Sequence, residues 1–360
     1  MPGSWYEPDI DASRSSIPRP EYPRPDFQRG FSNGIDWHNM NGLWEFEFDP
    51  YDRGEEEEWF NGHRPFSRTI QVPFPWEAHL AWNEGWLASN DNWFSRHAFL
   101  NPNDVDASNY RDQQRHEIGW YRTSVTIPKH WDGKQTILHF CAVDWQTRVW
   151  VNGRLMGEHE GGYTPFAFDI TEACPAGERA DITVRVYDPN DHRSLPGGKQ
   201  IDWYARTSGI WQTVFLEPRP EACIADIKIT PDIDTSSAHI TIRTTELETL
   251  SDSSVRITVE SPDGRIFSQD STDASESFVV GIPDPLLWSP DTPFIYDVVV
   301  ELLSEDSVVD RVRTSFGMRK VSVAPLPGTE TNYIFLNDKP VYLLGALNQS
   351  FNPWGVYTFP

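Results

Sequence analysis

The sequence predicts an all-β protein, and three features predict it. Period-2 alternation recurs along the chain: "LWEFEFDP" sets Trp44, Phe46 and Phe48 on one face, and "RADITVRVYD" sets Ile182, Val184 and Val186 opposite Thr183 and Arg185. Such alternation marks half-buried antiparallel strands. The pair Asn152-Gly153 stands between two strand-like runs in "TRVWVNGRLMGE", the strongest short-range hairpin signal a sequence offers. Long helical periodicity is hard to find before residue 330.

Taken in order, residues 1–38 read as an extended proline-rich arm, "IPRPEYPRPDFQRG", because proline fixes φ and withholds an N–H. Strand patterning occupies 39–220. It dissolves between Trp86 and Glu117 into Asn, Asp, Ser, Arg and aromatic residues, which reads as a long loop or insertion. From 221 to 322 come "IADIKITPDI", "SAHITIRTT", "SSVRITVES", "ESFVVGI", "FIYDVVVELL" and "VVDRVRTSF", separated by Asp, Ser, Pro and Gly. About seven short strands in about a hundred residues is the arithmetic of an immunoglobulin-like sandwich. A third unit opens at 323–360, where Leu343 and Leu344 lie in a short apolar run that reads as a buried strand.

Composition narrows the function classes. A length of 360 residues accommodates two or three domains, and 38% hydrophobic with 23% charged residues is a globular balance. The net charge of −24 argues against nucleic acid and against anionic membrane surfaces as partners. No window approaches the roughly 18 apolar residues of a membrane span, and the N-terminus lacks the basic start and apolar stretch of a secretory leader. Cys141, Cys174 and Cys223 are few, odd in number and widely spaced, as expected of thiols in a reducing cytoplasm rather than of a disulfide framework or a zinc site. Neither a metal nor a cofactor is expected.

Local motifs for chemistry are sparse. There is no G-x-S-x-G elbow, no Gly-rich phosphate loop and no H-E-x-x-H. The run Glu55–Glu58 reads as a solvated acidic face in preference to a metal site, since hard cations want ligands converging from a turn. In "GEHEGGY", Glu158 and Glu160 share a strand face with roots roughly 6.5–7 Å apart. That separation suits a glycosidase pair, but neighbours on one strand project in parallel. Strand-end packing is therefore the favoured reading, with Gly161 and Gly162 supplying a turn and Tyr163 and Phe166 anchoring a core. Core burial is favoured over sugar stacking for Trp44 and Trp150. For Trp203 and Tyr204, in the polar stretch "LPGGKQIDWYARTSG", both readings stay open.

Several segments in succession carry a resemblance: "YPRPDFQR", "MNGLWEFEFDP", "GWYRTSVTIP", "VWVNGRLMGEHEGGYTPFAFDIT", "GGKQ", "TSGIWQTVFLEP", "LWSPDTPFIYDVVVEL", "SFGMRKV" and "IFLNDKPVYLLGALNQ". Together they resemble the N-terminal part of glycoside hydrolase family 2, the family of β-galactosidases, β-glucuronidases and β-mannosidases. The resemblance covers nearly the whole chain apart from 86–117. It implies a jelly-roll sugar-binding domain, an immunoglobulin-like β-sandwich and the truncated start of a (β/α)₈ barrel, of which "KPVYLLGALNQ" looks like the first strand. A full barrel takes ~250 residues. The family's two catalytic glutamates belong to later barrel strands, so no catalytic residue is expected in this chain.

What the resemblance implies for function is the non-catalytic front of a retaining β-glycosidase, inactive alone, with carbohydrate as its partner. Substrate-contacting residues implied are Asn348 and Gln349, after the first barrel strand, and Asp202, in the place of a family Asp that reaches the active site from the jelly roll. Asn348 and Gln349 depart from the His-containing form of β-galactosidases, and the spacing of Asp202 to Ser208 and Gly209 departs by one residue. The alternatives are a free-standing carbohydrate-binding module and a scaffold that forms a homo-oligomer or associates with a separately encoded barrel.

Overall fold

The computed structural model describes residues 17–31, 34–82, 116–189, 207–250, 252–271, 276–347 and 355–359. Among these residues every long element is a strand, and the helical turns are short 3₁₀ pieces such as Trp59–Asn61 and Lys129–Trp131. None of the described helices is long and apolar enough to cross a membrane. The all-β reading holds. The chain divides into two compact units, one of residues 1–23, 37–218 and 348–360 and one of 24–36 and 219–347.

The first unit is a sandwich of antiparallel sheets. Its six-stranded sheet runs in the order Arg154–Glu160, Gln146–Val151, Arg179–Tyr187, Ile118–Thr126, Gly42–Phe48 and Arg68–Val72. A four-stranded sheet of Phe166–Asp169, Gln135–Phe140, Val214–Arg219 and His38–Asn39 belongs to the same unit. Alternation decides which side chains face inward. Trp44, Phe46 and Phe48 join Ile182, Val184 and Val186 in one buried cluster. Each large side chain so buried contributes about 1.5–3 kcal/mol. The Asn152-Gly153 hairpin is present, with both residues at positive φ, 49° and 77°, and with Arg154 paired to Val151.

The opposite face of the six-stranded sheet is covered too, by the segment that follows Phe48. Trp59 packs against Trp120 at 5.7 Å between ring centroids, Phe60 stacks on Trp150 at 5.2 Å, and Trp120 stacks on Trp150 at 5.4 Å. Trp150 is therefore buried as expected, but in this second cluster rather than between the sheets. Asp49 fixes the covering segment, accepting from the N–H groups of Arg53 and Gly54 and from Trp120 Nε1. A side chain at Gly54 would meet the Trp120 ring at 2.5 Å, so the backbone approach requires glycine. Arg122 fastens the far end by donating to the carbonyls of Arg64 and Trp59.

The acidic run Glu55–Glu58 lies in this cover, and it is more than a solvated face. Glu55 is ion-paired with Arg148 at 2.6 Å, and Glu57 accepts from Trp59 Nε1 at 2.9 Å. Residues 355–359 also pack in the first unit, where Val356 is buried and Thr358 Oγ1 donates to the Trp211 carbonyl.

The second unit contains a six-stranded sheet in the order Ile266–Ser271, Ser253–Glu260, Tyr296–Ser304, Ser307–Phe316, Gln28–Phe31 and Gly34–Ile35. Its second sheet is Cys223–Asp232, Ser237–Thr245 and Glu276–Gly281. Ile240, Ile257, Val298 and Val300, each fully buried, lie in the core of this unit. Two strands differ from expectation. Ile266–Ser271, whose sequence IFSQDS lacks clean alternation, pairs with Ser253–Glu260. Part of the proline-rich arm is a sheet strand rather than a surface rider, since Gln28 and Arg29 pair with Arg313 and Val312. Arg29 is 6% exposed and meets the wholly buried Asp310 in an ion pair, while its Nη2 donates to the Ile224 carbonyl.

Beyond the sandwich, Val321–Pro325, Asn332–Leu336 and Lys339–Pro340 form a small antiparallel sheet. The apolar run after it is not a buried strand here. Residues 341–347 have no strand assignment, and Leu343 and Leu344 are 69% and 91% exposed. A strand needs a neighbour for its backbone groups, and beyond Val341, whose N–H donates to the Ile334 carbonyl at 2.9 Å, no strand pairs with it among the described residues.

Candidate functional site

The residues predicted to contact substrate, Asp202, Asn348 and Gln349, lie outside the described residues, as do Trp203 and Tyr204. The described residues bring together a different group, on either side of that first stretch. Asp188 follows the strand Arg179–Tyr187, Ser208 precedes the short strand Gly209–Ile210, and Glu77 follows the strand Arg68–Val72 by way of Pro73, Phe74, Pro75 and Trp76.

Reciprocal bonds lock these segments. The Trp76 N–H donates to the Ser208 carbonyl at 3.1 Å, and the Ser208 N–H donates to Glu77 Oε2 at 3.0 Å. Gly209 follows with φ of +87°, and a Cβ there would stand 2.1 Å from the Tyr121 hydroxyl. That close approach lets the Tyr121 oxygen accept the Ile210 N–H at 3.3 Å. Gly209 and Ile210 in turn pair with Asp144 and Val143. The Asp188 backbone is fixed by its N–H donating to the Glu117 carbonyl at 2.8 Å.

At the centre, Ser208 Oγ lies 2.5 Å from Glu77 Oε1 and 2.5 Å from Asp188 Oδ2. A serine hydroxyl carries one hydrogen, and an ionised carboxylate carries none. Two such short contacts from one hydroxyl therefore require one of the acids to be protonated. Glu77 is that acid. Desolvation raises its pKa first, the Asp188 charge raises it further, and bonds from Ser208 and the backbone offset only part, leaving it pushed up to about 8. The consistent pattern has the Glu77 acid donating to Ser208 Oγ and Ser208 donating to Asp188. Burial raises the Tyr121 hydroxyl as well, so it stays neutral.

This pair is not arranged for attack at a sugar. Two oxygens each 2.5 Å from Ser208 Oγ are at most about 5 Å apart, close to the spacing of a retaining pair. The space between them is filled by the serine hydroxyl rather than open to an anomeric carbon. Glu158 and Glu160 behave as the strand-end reading expects. Glu158 is ion-paired with Arg148 and Glu160 accepts from the Gln146 amide, both on an edge strand. Phe166 packs against the core and stacks on Phe140 at 5.0 Å. Tyr163 differs, remaining 42% exposed with its ring edge on Trp211.

Comparison with known proteins places this architecture. The model of the sugar-binding domain of glycosyl hydrolases family 2 matches residues 37–220, and a second family 2 model matches residues 222–319. The chain belongs to glycosyl hydrolases family 2. Among curated members, a β-galactosidase of Thermoanaerobacter pseudethanolicus is 29% identical over 252 residues, 68% of this chain and 33% of the relative. A β-glucuronidase of Paenibacillus borealis is 26% identical over 307 residues, 79% of this chain and 46% of the relative. In fold, the crystal structure of the Ruminococcus gnavus β-glucuronidase superposes with a TM-score of 0.69 at 21% identity, over 90% of this chain and 50% of that one. This family 2 chain thus spans a third to a half of the length of these relatives.

The Glu77–Ser208–Asp188 group was not found from sequence. Glu77 lies 131 residues from Ser208 in "PWEAHL", which carries no pattern of its own. The signal the sequence carries is "TSGIW", within the family-like segment "TSGIWQTVFLEP", whose serine and glycine are both fixed by these contacts.

Proposed function

We propose that this chain is the sugar-binding and sandwich portion of a retaining β-glycosidase, and that alone it turns over no glycoside. The observation that supports this reading is the succession of the two family 2 models over 37–220 and 222–319, with members named β-galactosidase and β-glucuronidase. In the proposed reaction one carboxylic acid protonates the leaving oxygen and a carboxylate attacks the anomeric carbon, the two standing about 5–5.5 Å apart. Both would come from a (β/α)₈ barrel, whose active sites form at the C-terminal ends of the strands. Asp202, Asn348 and Gln349 are assigned to the rim of that pocket. The assignment carries the proposed division into an arm (1–38), a jelly roll (39–220), a sandwich (221–322) and a barrel start (323–360). A cytoplasmic setting is supported by Cys174 and Cys223 standing as buried free thiols.

The test is hydrolysis of nitrophenyl β-galactoside, β-glucuronide and β-mannoside by the purified chain. The expected outcome is no turnover above the uncatalysed rate. Turnover that survives purification and is abolished by Glu77→Gln or Asp188→Asn would overturn the reading, since it would place the chemistry in the pair that Ser208 now fills.

A further inference from the structure

Asn-Gly pairs stand in the sequence at 33–34, 41–42, 61–62 and 152–153. An asparagine followed by glycine is open to spontaneous loss of its side-chain amide, because no Cβ shields the next backbone nitrogen. Asn33 lies outside the described residues. The other three pairs belong to the first unit, and the fold holds their side chains very differently.

Asn41 is buried, its Nδ2 donating to the Pro18 and Arg19 carbonyls and its Oδ1 accepting the Val214 N–H at 3.0 Å. Asn152 is exposed, yet its Nδ2 donates to the Ala173 carbonyl at 3.0 Å and its Oδ1 accepts the Asp181 N–H at 2.9 Å. Backbone groups thus pin both amides at each end. Asn61 is exposed as well, and among the described residues its one side-chain bond runs from Nδ2 to the exposed Glu58 carboxylate at 2.9 Å. The nitrogen that must attack, that of Gly62, closes the turn Trp59–Asn61 through a long 3.3 Å bond to the Trp59 carbonyl. Short 3₁₀ turns have poor hydrogen-bond geometry, and their ends fray.

We propose that Asn61 is a site of spontaneous deamidation, and that its conversion loosens the segment covering Trp120 and Trp150. The Gly62 nitrogen, its proton taken by hydroxide, forms a bond to Asn61 Cγ. The Cγ–Nδ2 bond breaks, and the amide nitrogen leaves as ammonia after taking a proton from water. A second water opens the cyclic imide at one carbonyl or the other, giving aspartate or isoaspartate. Either product loses the amide donor to Glu58 and sets a new negative charge beside it, so an attraction becomes a repulsion. Trp59 and Phe60, which precede the altered residue, make the cover's ring contacts with Trp120 and Trp150.

Peptide mapping by mass spectrometry tests this on the full chain, aged at pH 7 and 37 °C either folded or in urea. In urea the pairs lose these restraints and should convert at comparable rates. In the folded chain Asn61 should convert about tenfold or more faster than Asn41 and Asn152, which must first break further hydrogen bonds to fixed backbone groups. Asn61→Asp, which reproduces one product, should lower the melting temperature, and by less at high salt, where the repulsion is screened. Conversion of Asn41 or Asn152 as fast as Asn61 in the folded chain would overturn the site, as would complete protection of Asn61 by folding. An Asn61→Asp variant that melts with the parent, or whose loss ignores salt, would overturn the loosening.

Discussion

Asp310 and Glu77 are both drawn out of bulk water, and the two units neutralise them differently. In the second unit Asp310 is wholly buried and meets the Arg29 guanidinium, while its Oδ2 also accepts the Ile224 N–H. In the first unit Glu77 meets no cation among the described residues. It meets a hydroxyl and a second acid, and keeps its proton. Charge can be matched by a partner of opposite sign or removed by protonation, and the two solutions respond to different perturbations. The arginine solution fails when the arginine is lost. The proton solution fails when the pH rises.

The largest effect is expected from Arg29→Met. It leaves Asp310 buried without its partner, and such an uncompensated charge costs about 3–5 kcal/mol. Urea unfolding of the second unit should register that loss, and adding Asp310→Leu should recover most of it. If the double variant is as unstable as the single one, packing rather than charge is the cause, and the contrast with Glu77 dissolves.

Next comes the pH profile of the first unit. The folded-state pKa of Glu77 is raised from its ordinary 4.5 to about 8, so the folded protein binds more protons than the unfolded chain between those values. Stability from this group is therefore fully present below about pH 4.5 and is lost as pH rises through 8, by an amount on the order of a few kcal/mol. Glu77→Gln keeps a donor toward Ser208 Oγ and an acceptor for the Ser208 N–H. Melting temperature against pH should flatten in that variant, and above pH 8 the variant should be the more stable form. An unchanged slope would assign the proton elsewhere.

These two sites also mark what the sequence made legible. Strands were readable wherever one face is buried and the other wet, as at Trp44, Phe46 and Phe48, because the pleat writes burial into every second residue. Reading weakened where both faces are covered: Arg185 and Thr183 are buried beneath a segment whose acidic run suggested only solvent. It weakened again at the arm, where prolines signalled an extended chain but not that Gln28 and Arg29 would pair with a strand nearly 300 residues away. Glu77, Asp188 and Ser208 were invisible because no periodicity links them. Their association depends on which turns converge, a property of the closed sandwich rather than of any local stretch.

Ser208→Ala probes the centre of the proton-sharing group with a smaller expected cost. The substitution removes the hydroxyl that both acids use, while the backbone N–H to Glu77 Oε2 remains. Leaving a drawn-in polar group unsatisfied costs about 1–3 kcal/mol. The same change should steepen the dependence on pH, because the two acids then interact without the hydroxyl that stands between them. Thermal melts at pH 6 and pH 8 separate the two effects: a uniform loss at both values would reduce Ser208 to a packing residue.

The smallest effect sets the baseline for the comparison. Arg179 and Asp181 form an ion pair at 3.0 Å with side chains 69% and 57% exposed. Water already solvates both groups, so their attraction is offset by screening and by the entropy of holding two mobile side chains together. Arg179→Ala should shift stability by less than about 0.5 kcal/mol at any pH between 5 and 9. Raising the salt concentration should erase even that difference, whereas the effect of Arg29→Met should persist, since ions screen exposed pairs far more than buried ones. If Arg179→Ala proved as costly as Arg29→Met, burial would not be what separates these acids, and the explanation of Glu77 by desolvation would lose its footing.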